Sequence, residues 1–308
     1  SRRGRVSAYE SDYFRLIGDA QRAIESGERA LAIARELRDS HLEVMANTYL
    51  GLVHLNLGDY RRAADCFESN VVFLAGDRSR ERFEMAQLPS VHSRTWLVSC
   101  LAELGEFAVA IAHAREGLRI AESVSHPLTL IVAHFGVGQL YLKKGEIANA
   151  VPALERALEV ISTWNIHLWF PNVAVALGSA YVLSGRLGEA LALLEQAAER
   201  SASMGRIGAH SARLVALGEA YLQTGRRRDA RDVASRALTL CRDHGERGDE
   251  GWAFRQIGEI ASTMDPPERE EAEIAYREAQ SIAERLGMRP LVARCRLGLG
   301  TLYRRLGE

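Results

Sequence analysis

Small and apolar residues recur along this chain with a period of forty residues. The clearest copy lies within 175–199, and its members are Leu177, Gly178, Tyr181, Gly185, Ala190, Leu194 and Ala197. The same frame returns forty residues earlier, starting at Val137, and forty residues later, starting at Leu217. A fixed period of this length indicates stacked helical hairpins, in which each unit buries its apolar face against its neighbours.

The frame is explained by two helices that pack at close range. Leu177, Gly178 and Tyr181 share one face of a first helix, because residues three and four apart are neighbours on a helix. Gly178 has no side chain, so a second helix containing Ala190 can approach it closely. Gly185 lies just past the first helix, where a residue in the left-handed conformation ends the helix and turns the chain.

The pattern predicts an all-α fold, a right-handed α-solenoid of tetratricopeptide-like helical hairpins whose period exceeds the usual ~34 residues. Gly58 and Gly105 are 47 residues apart, so we expect an insertion within 74–94. We expect one solenoid over 1–308, with seven hairpins and one last helix at 8–38, 41–75, 90–124, 127–163, 167–202, 207–243, 247–286 and 290–306.

The last predicted helix has an apolar frame but no partner helix in the pattern. Leu297, Leu299 and Tyr303 form a stripe suited to receive a second helix. An apolar patch of this kind is rarely left exposed on a monomer. We therefore expect the chain to be a fragment of a longer multidomain protein, and we expect self-association through this helix when the fragment is isolated.

Composition and charge exclude several classes of protein. Hydrophobic residues make up 47% and charged residues 26% of the chain, and the net charge is −1, so no overall electrostatic footprint for nucleic acid is present. The most apolar stretch, 128–142, is too short to span a bilayer and contains His134 and Gln139. The first ten residues lack an apolar stretch, so we expect no secretory signal. We expect a cytoplasmic protein with neither nucleic-acid nor membrane partners.

Motifs that carry chemistry do not occur in the sequence. The four cysteines form no CxxC pair, and the nine histidines have no i, i+4 pairing, so we expect no metal site. The glycine pairs at 136–138 and 298–300 lack the third glycine of a dinucleotide fingerprint and coincide with the packing frame. No phosphate loop, GxSxG or HExxH motif is present. We also expect no carboxylate in a setting that perturbs its pKa, no cofactor and no enzymatic activity.

A first set of candidate binding residues lies on the face of each first helix that is opposite the packing frame. This face lines the concave groove of the solenoid. Tetratricopeptide domains that grip a C-terminal carboxylate line the groove with lysine, arginine and asparagine, and this groove lacks that set. For Val132, Val175 and Val215 in the same rows, packing against the next repeat is an equal alternative. The candidates are His92, Thr95, Trp96, Ser99, Phe135, Gln139, Asn172, Ser179, Glu219, Trp252, Arg255, Glu259 and Arg294.

A second candidate set lies where one hairpin passes to the next. Connections at 88–97, 125–130 and 163–172 share one edge of the predicted solenoid, so we expect them to adjoin. The third connection carries the junction cluster Trp164, His167, Trp169 and Phe170. Aromatic clusters often form binding hot spots. The alternative is that these rings fill gaps between the longer helices of a forty-residue repeat.

The connections also resemble one bacterial group. The stretches 80–97, 125–130, 164–186, 244–261 and 286–307 are similar to the C-terminal repeat region of class III adenylate/guanylate cyclases. Those proteins carry a cyclase domain, a central AAA-type ATPase module and a tetratricopeptide tail, and the resemblance extends over essentially the whole chain. Their metal-binding aspartates and nucleotide motifs have no counterpart in this chain. The resemblance implies a regulatory module with the ATPase and cyclase domains as intramolecular partners.

Three hypotheses about function follow. In the first, the solenoid binds a protein or peptide segment and passes that event to an attached cyclase–ATPase. In the second, it is the small-ligand sensor of an ATPase-type transcriptional regulator. In the third, and weakest, it acts on a nucleotide itself. An open groove would favour the first hypothesis, and a pocket closed by the aromatic junctions would favour the second.

Overall fold

A computed structural model describes residues 1–83, 85–203 and 210–307. In those residues the chain forms helices and no strands, which confirms the predicted all-α fold. Two short 3-10 helices lie at Gly76–Arg80 and His167–Trp169. The α-helices of the described ranges are α1 (Arg2–Leu16), α2 (Ala20–Leu37), α3 (Ser40–Leu57), α4 (Tyr60–Phe73), α5 (Pro89–Leu104), α6 (Phe107–Val124), α7 (Pro127–Lys144), α8 (Ile147–Trp164), α9 (Phe170–Leu183), α10 (Leu187–Ser203), α11 (His210–Gln223), α12 (Arg227–His244), α13 (Arg247–Thr263), α14 (Arg269–Leu286) and α15 (Arg289–Leu306).

Local signals begin and end these helices. The Asp39 carboxylate accepts a hydrogen bond from the backbone nitrogen of Leu42 at 3.1 Å and so caps the N-terminus of α3. Gly58 and Gly145 end α3 and α7 with positive φ angles of 81° and 86°, a conformation that glycine adopts without strain. The regular spacing of such glycine caps along the chain is part of the pattern that predicts the hairpins.

The packing frame works as the sequence indicates. A Cβ added to Gly178 would lie 2.6 Å from Cγ of Leu194, and one added to Gly138 would lie 2.3 Å from Cγ of Leu154. Both distances are too short for a real contact, so the fourth and fifth hairpins require a glycine where the second helix crosses the first. Leu154 and Leu194 are almost completely buried.

The solenoid bends so far that its last helices contact its first ones. Helix α13 packs against α3, and α15 packs against α5. The guanidinium Nε of Arg289 donates a hydrogen bond to the backbone oxygen of Leu104 at 2.7 Å. A Cβ added to Gly58 would lie 2.6 Å from the backbone nitrogen of Gly248. This closure turns the inner face of the solenoid into a partly enclosed space.

Some boundaries differ from those the pattern predicts. Helix α1 begins at Arg2 rather than near residue 8, and α9 begins at Phe170 because a 3-10 turn precedes it. The predicted insertion contains the 3-10 helix Gly76–Arg80 and ends at α5. The predicted start of the sixth hairpin, residue 207, lies outside the described residues.

Helix α15 has one covered face and one open face. Leu302 is fully buried, whereas Leu297 is 72% exposed. A Cβ added to Gly300 would have nothing within 4 Å, in contrast to Gly178 in the same position of its repeat. Leu299 and Tyr303, predicted to lie on the open stripe, are half-buried. In the part of the chain that the structure describes, no helix is both long and apolar enough to span a bilayer.

Candidate functional site

The inner face of the closed solenoid contains a cavity of about 410 Å³. A space of this size lies within the range of sites that hold small molecules or a few residues of a peptide. Its walls come from α1, α3, α5, α7, α9, α11 and α13, with the start of α4 and the 3-10 helix at 167–169. The cavity therefore draws side chains from both ends of the chain.

Four rings at one side of the cavity form what we call the aromatic cluster: His92, Trp96, Phe135 and Trp169. The ring centroids of Phe135 and Trp169 are 5.6 Å apart, and those of Trp96 and Phe135 are 5.9 Å apart. Both pairs meet edge to face, an arrangement that aromatic rings favour. The cluster supplies an apolar wall suited to an apolar or aromatic group of a ligand.

The His92 imidazole is neutral in this setting. It is buried, and burial lowers its pKa to about 3 because the charged form loses its hydration, with a smaller effect of the positive charge on Arg15. The indole Nε1 of Trp96 donates a hydrogen bond to His92 Nε2 at 2.9 Å, so the imidazole proton lies on Nδ1. No described residue accepts from that Nδ1. His92 thus fixes the orientation of Trp96.

Four side-chain amides line the cavity beside the aromatic cluster. They belong to Asn56, Gln87, Gln139 and Asn172, which we call the amide set. All four are half-buried, and none forms a side-chain hydrogen bond with another described residue. A carboxamide has both donor and acceptor groups, as a peptide group does. The amide set therefore presents unused hydrogen-bonding capacity to the interior of the cavity.

The opposite side of the cavity is charged. The Lys143 ammonium lies 2.6 Å from Glu103 Oε1 and 4.2 Å from the centroid of the Trp252 ring. The carboxylate of Asp249 lies close by and accepts a hydrogen bond from the Ser211 hydroxyl at 3.1 Å. Lys143, Glu103 and Asp249 come from three different helices, so this arrangement depends on the closure of the solenoid.

The pKa of Asp249 is raised to about 7. Burial is the main cause, since it disfavours the charged carboxylate, and the negative charges of Glu246 and Glu103 add to it. The positive charge of Lys143 and the Ser211 hydroxyl act in the opposite direction. The expectation that no carboxylate has a perturbing environment is therefore wrong. The sequence does not show this environment, because Glu103 and Asp249 become neighbours only when the chain folds.

Seven of the residues predicted to bind a partner line the cavity: His92, Trp96, Ser99, Phe135, Gln139, Trp169 and Asn172. The others lie elsewhere. The Thr95 hydroxyl is buried and donates to the backbone oxygen of Val132 at 3.0 Å. Arg255 is also buried and forms salt bridges with Glu259 and, at 3.6 Å, with Glu219. Ser179, Trp252 and Arg294 are half-buried and outside the cavity lining. Of the three valines, Val175 lines the cavity, whereas Val132 and Val215 are buried.

The junction cluster is divided by the fold. Trp169 is buried in the aromatic cluster, and Phe170 is buried with the Arg200 guanidinium 4.1 Å from its ring centroid. Trp164 is 62% exposed, and His167 is also exposed. Neither of these two residues lines the cavity. Two of the three connections do meet, since the backbone nitrogen of Leu88 donates to the Thr129 hydroxyl at 3.2 Å.

Several lining residues were not anticipated from the sequence. They are Asp12, Arg15, Tyr49, Asn56, Tyr60, Met85, Gln87, Glu103, Lys143, Arg213 and Asp249. Most of them reach the cavity only because the first and last hairpins meet. One signal was present, since Lys143 and its neighbour Lys144 are the only lysines in the chain. A lysine in a sequence whose other basic side chains are arginines marks that position as unusual.

Comparison with protein families agrees with this architecture. Two stretches match models described as tetratricopeptide repeats, at residues 132–163 and 214–248. Together with the hairpin geometry, these matches define the chain as a solenoid built from tetratricopeptide-like repeats. A comparison with curated proteins found no match.

Several solved structures have a similar fold. A Rap protein complexed with competence and sporulation factor superposes with a TM-score of 0.70 at 14% identity, over 92% of this chain and 76% of that one. A STAND-type signal-transduction ATPase with a tetratricopeptide repeat sensor, from Pyrococcus horikoshii, gives a TM-score of 0.55 at 16% identity, over 98% and 46% of the two chains. The apo form of RapI gives 0.51 at 11% identity, over 97% and 84%. At such identities the likeness lies in the fold alone.

Proposed function

We propose that this chain is a non-catalytic regulatory or scaffold module that binds a short protein or peptide segment inside its cavity. The observation that carries the proposal is that the aromatic cluster and the amide set line the same cavity. The aromatic cluster offers an apolar wall, and the amide set offers hydrogen-bonding groups that no described residue uses. A peptide suits both: an apolar side chain packs against the aromatic cluster, and the peptide backbone forms hydrogen bonds with the amide set.

The amide set favours a peptide because of its chemistry. Each of the four carboxamides can donate to a peptide oxygen and accept from a peptide nitrogen. A half-buried amide without a partner loses part of its hydration, so a ligand that restores both bonds gains from them. The cavity volume of about 410 Å³ limits the enclosed part of the ligand to a few residues.

Fold similarity adds support to a binding role. The Rap protein of similar fold was solved as a complex with competence and sporulation factor. Binding of a partner is therefore compatible with a solenoid of this architecture. The contacts proposed for this chain rest on its own residues.

We further propose that the chain is the C-terminal sensor or adaptor region of a cyclase–ATPase signalling protein. Two observations support this attachment: the resemblance of its connections to the tails of class III cyclases, and the similar fold of an ATPase with a tetratricopeptide repeat sensor. Sequencing the gene upstream of the codon for Ser1 tests it. We expect a phosphate-loop ATPase module preceded by a cyclase domain, and a reading frame without either would overturn the proposal.

A second candidate function is the sensing of a small ligand by an ATPase-type transcriptional regulator. The observation that favours it is closure: Trp169 from the junction covers one side of the cavity, and Glu103 contacts Trp252 across the other. A partly enclosed space suits a small molecule better than a long segment. The two candidates differ in what they bind, so one set of measurements separates them.

Selection of peptides tests the main proposal. A random heptapeptide library on phage is selected against the purified chain, and the selected peptides are synthesised and titrated by calorimetry. We expect Trp169→Ala to weaken their binding by about 30-fold, since truncation of a central aromatic residue commonly costs ~2 kcal/mol. Trp164→Ala is the matched control, because this tryptophan is 62% exposed and outside the cavity. Circular dichroism verifies that both variants fold.

Each outcome has a defined meaning. If the selected peptides bind Trp169→Ala as tightly as the unaltered chain, the cavity is not the peptide site. If Trp164→Ala weakens binding as much as Trp169→Ala does, the exposed junction holds the peptide instead. If no peptide is selected, but a compound from a metabolite panel raises the melting temperature of the unaltered chain and not of Trp169→Ala, the small-ligand function replaces the peptide function.

We also propose that the isolated chain associates with a second copy through α15. The face of α15 around Leu297 and Gly300 is open. In a two-fold symmetric dimer this face of one copy packs against the same face of the other. Sedimentation should show a concentration-dependent dimer that Leu297→Glu weakens. Val109→Glu is the control, because Val109 is 50% exposed on α6. A chain that sediments as a monomer at every concentration would overturn this proposal.

A further inference from the structure

We infer that the Asp249 side of the cavity selects ligands that carry a cationic group, an ammonium or a guanidinium, beside the apolar group that the aromatic cluster receives. The inference rests on the proposed function, because it specifies the chemical class of the ligand in the same cavity. It is carried by the pairing of the charged side chains that line this space.

The cavity lining contains charged side chains, and their pairing can be followed. The Arg15 guanidinium lies 2.6 Å from the Asp12 carboxylate, and the Lys143 ammonium lies 2.6 Å from the Glu103 carboxylate. Asp249 differs from Asp12 and Glu103, because it forms no salt bridge with any described residue. Among the carboxylates that line the cavity in the described residues, Asp249 is the one without a salt bridge.

Hydrogen bonding does not compensate Asp249 either. The Ser211 hydroxyl lies 3.1 Å from the Asp249 carboxylate, and the same hydroxyl donates to the carboxylate of Glu246. A hydroxyl has only one hydrogen to donate, so it cannot satisfy both carboxylates at once. The two acids therefore compete for one donor at the wall of the cavity.

Lys143 cannot move to Asp249 without loss. Its ammonium is held by Glu103 and lies 4.2 Å over the Trp252 ring, so it takes part in a salt bridge and a cation–π contact together. Transfer to Asp249 would only leave Glu103 unpaired. Asp249 is therefore the lining carboxylate to which a cationic group of a ligand can bind without breaking a salt bridge of Lys143 or Arg15.

A cationic ligand would also change the protonation of Asp249. Its raised pKa means that a substantial fraction of Asp249 is protonated near neutral pH, whereas a bound cation favours the ionised form. Binding of the cation should therefore strengthen as the pH rises through 7. The charged, titratable and hydrogen-bonding groups that face Asp249 or share its side of the cavity are Tyr60, Glu103, Lys143, Ser211, Arg213, Cys241 and Glu246.

Three probes of similar size test the inference: phenethylamine, phenethyl alcohol and 3-phenylpropionate. They share a phenyl ring and differ in charge. Titrations of the full chain are followed by ligand-observed NMR at pH 8 and at pH 6. At pH 8 we expect the amine to bind about ten-fold more tightly than the alcohol, as a charge-assisted hydrogen bond provides, and the carboxylate to bind most weakly. At pH 6 the preference for the amine should shrink.

Two variants assign the preference to one residue. Asp249→Asn keeps an acceptor for the Ser211 hydroxyl and removes the charge, so the amine should lose its advantage while the alcohol binds as before. Glu278→Gln removes an exposed carboxylate from α14 and should leave the preference intact. A second readout uses the peptides selected by phage display. Replacing their lysine or arginine by glutamine should weaken binding to the unaltered chain and have little effect on binding to Asp249→Asn.

The inference and the proposed function can fail separately. If amine and alcohol bind equally, and both lose affinity in Trp169→Ala, the cavity binds ligands but does not select a cation. If the preference for the amine persists in Asp249→Asn, its assignment to Asp249 is wrong. If neither the probes nor any peptide bind the unaltered chain, the inference and the proposed function fall together.

Discussion

Glu103 on α5 accepts a hydrogen bond from the indole Nε1 of Trp252 on α13 at 3.2 Å, across 149 residues of chain. The other oxygen of the same carboxylate contacts the Lys143 ammonium at 2.6 Å. The contact joins the third hairpin to the seventh, and its Glu103 side lines the cavity. One carboxylate thus links the shape of the solenoid to the composition of its candidate site.

Removal of Trp252 should open this closure. Trp252→Ala deletes the hydrogen bond to Glu103, the stacking of Lys143 and a half-buried ring. We expect the free energy of unfolding to fall by about 2–4 kcal/mol, in the range of large-to-small substitutions. Urea denaturation measures that loss, and small-angle X-ray scattering should show a larger radius of gyration. Trp252→Phe is the control that keeps a ring but removes the donor, and an unchanged radius in Trp252→Ala would contradict the closure.

The glycine of the packing frame should respond to substitution in the opposite direction from an exposed glycine. Gly178→Ala places a Cβ only 2.6 Å from Leu194 Cγ, so we expect a loss of about 1–3 kcal/mol from overpacking. Gly188→Ala in the first turn of α10 meets nothing within 4 Å and should stabilise the helix by at most ~0.5 kcal/mol, less than in a helix interior. Chemical denaturation of the two variants measures both effects. Equal effects of the two substitutions would refute the close contact.

Asp249 should make the protein less stable as the pH rises. Its pKa is about 7 in the folded chain and near 3.8 without the fold, so between these values the folded state holds a proton that the unfolded state has lost. Stability therefore falls from about pH 4 to about pH 7, by at most ~1.4 kcal/mol per pH unit for one proton. Urea titrations at pH 5 and pH 7.5 should show a smaller fall in Asp249→Asn than in Glu278→Gln.

His92 should contribute the opposite slope. Its pKa is about 3 in the folded chain and 6.5 without the fold, so below pH 6.5 the unfolded state binds a proton that the folded state refuses. Its stabilising contribution is present above pH 6.5 and is lost as the pH falls toward 3. NMR of the imidazole should show no titration of His92 between pH 5 and pH 8. Since Asp249 and His92 oppose each other between about pH 4 and 6.5, only the single variants His92→Asn and Asp249→Asn reveal each slope.

The hairpins could be predicted because the residues that define each hairpin lie within a single repeat. A glycine at the left-handed cap, such as Gly145, and a glycine under the crossing helix, such as Gly138, both act within one repeat. Their spacing therefore repeats along the chain and is visible without coordinates. The start of α1 at Arg2 was less predictable, since a terminal helix has no earlier copy of the pattern to define it.

The aromatic part of the candidate site was partly predictable for the same reason. His92, Trp96 and Phe135 lie on the inner face of first helices at positions that the repeat defines. Trp169 was predicted only as a junction residue, and its distance of 5.6 Å to Phe135 required the geometry of the 3-10 turn. Trp164 shares the same stretch of sequence, yet the fold leaves it 62% exposed. The sequence around Trp164 and Trp169 does not show which of the two is buried.

The sequence by itself determined the repeat: which residues form helices, where the hairpins turn and which glycines, such as Gly138 and Gly178, lie under a crossing helix. Only the tertiary structure decided what the inner face contains. The contact between Glu103 and Trp252, and the approach of Glu103 to Asp249 that raises the pKa of Asp249, depend on small rotations between neighbouring hairpins that accumulate over the whole solenoid. No short pattern encodes that sum, so the closure, the cavity and the unpaired charge of Asp249 appear only in three dimensions.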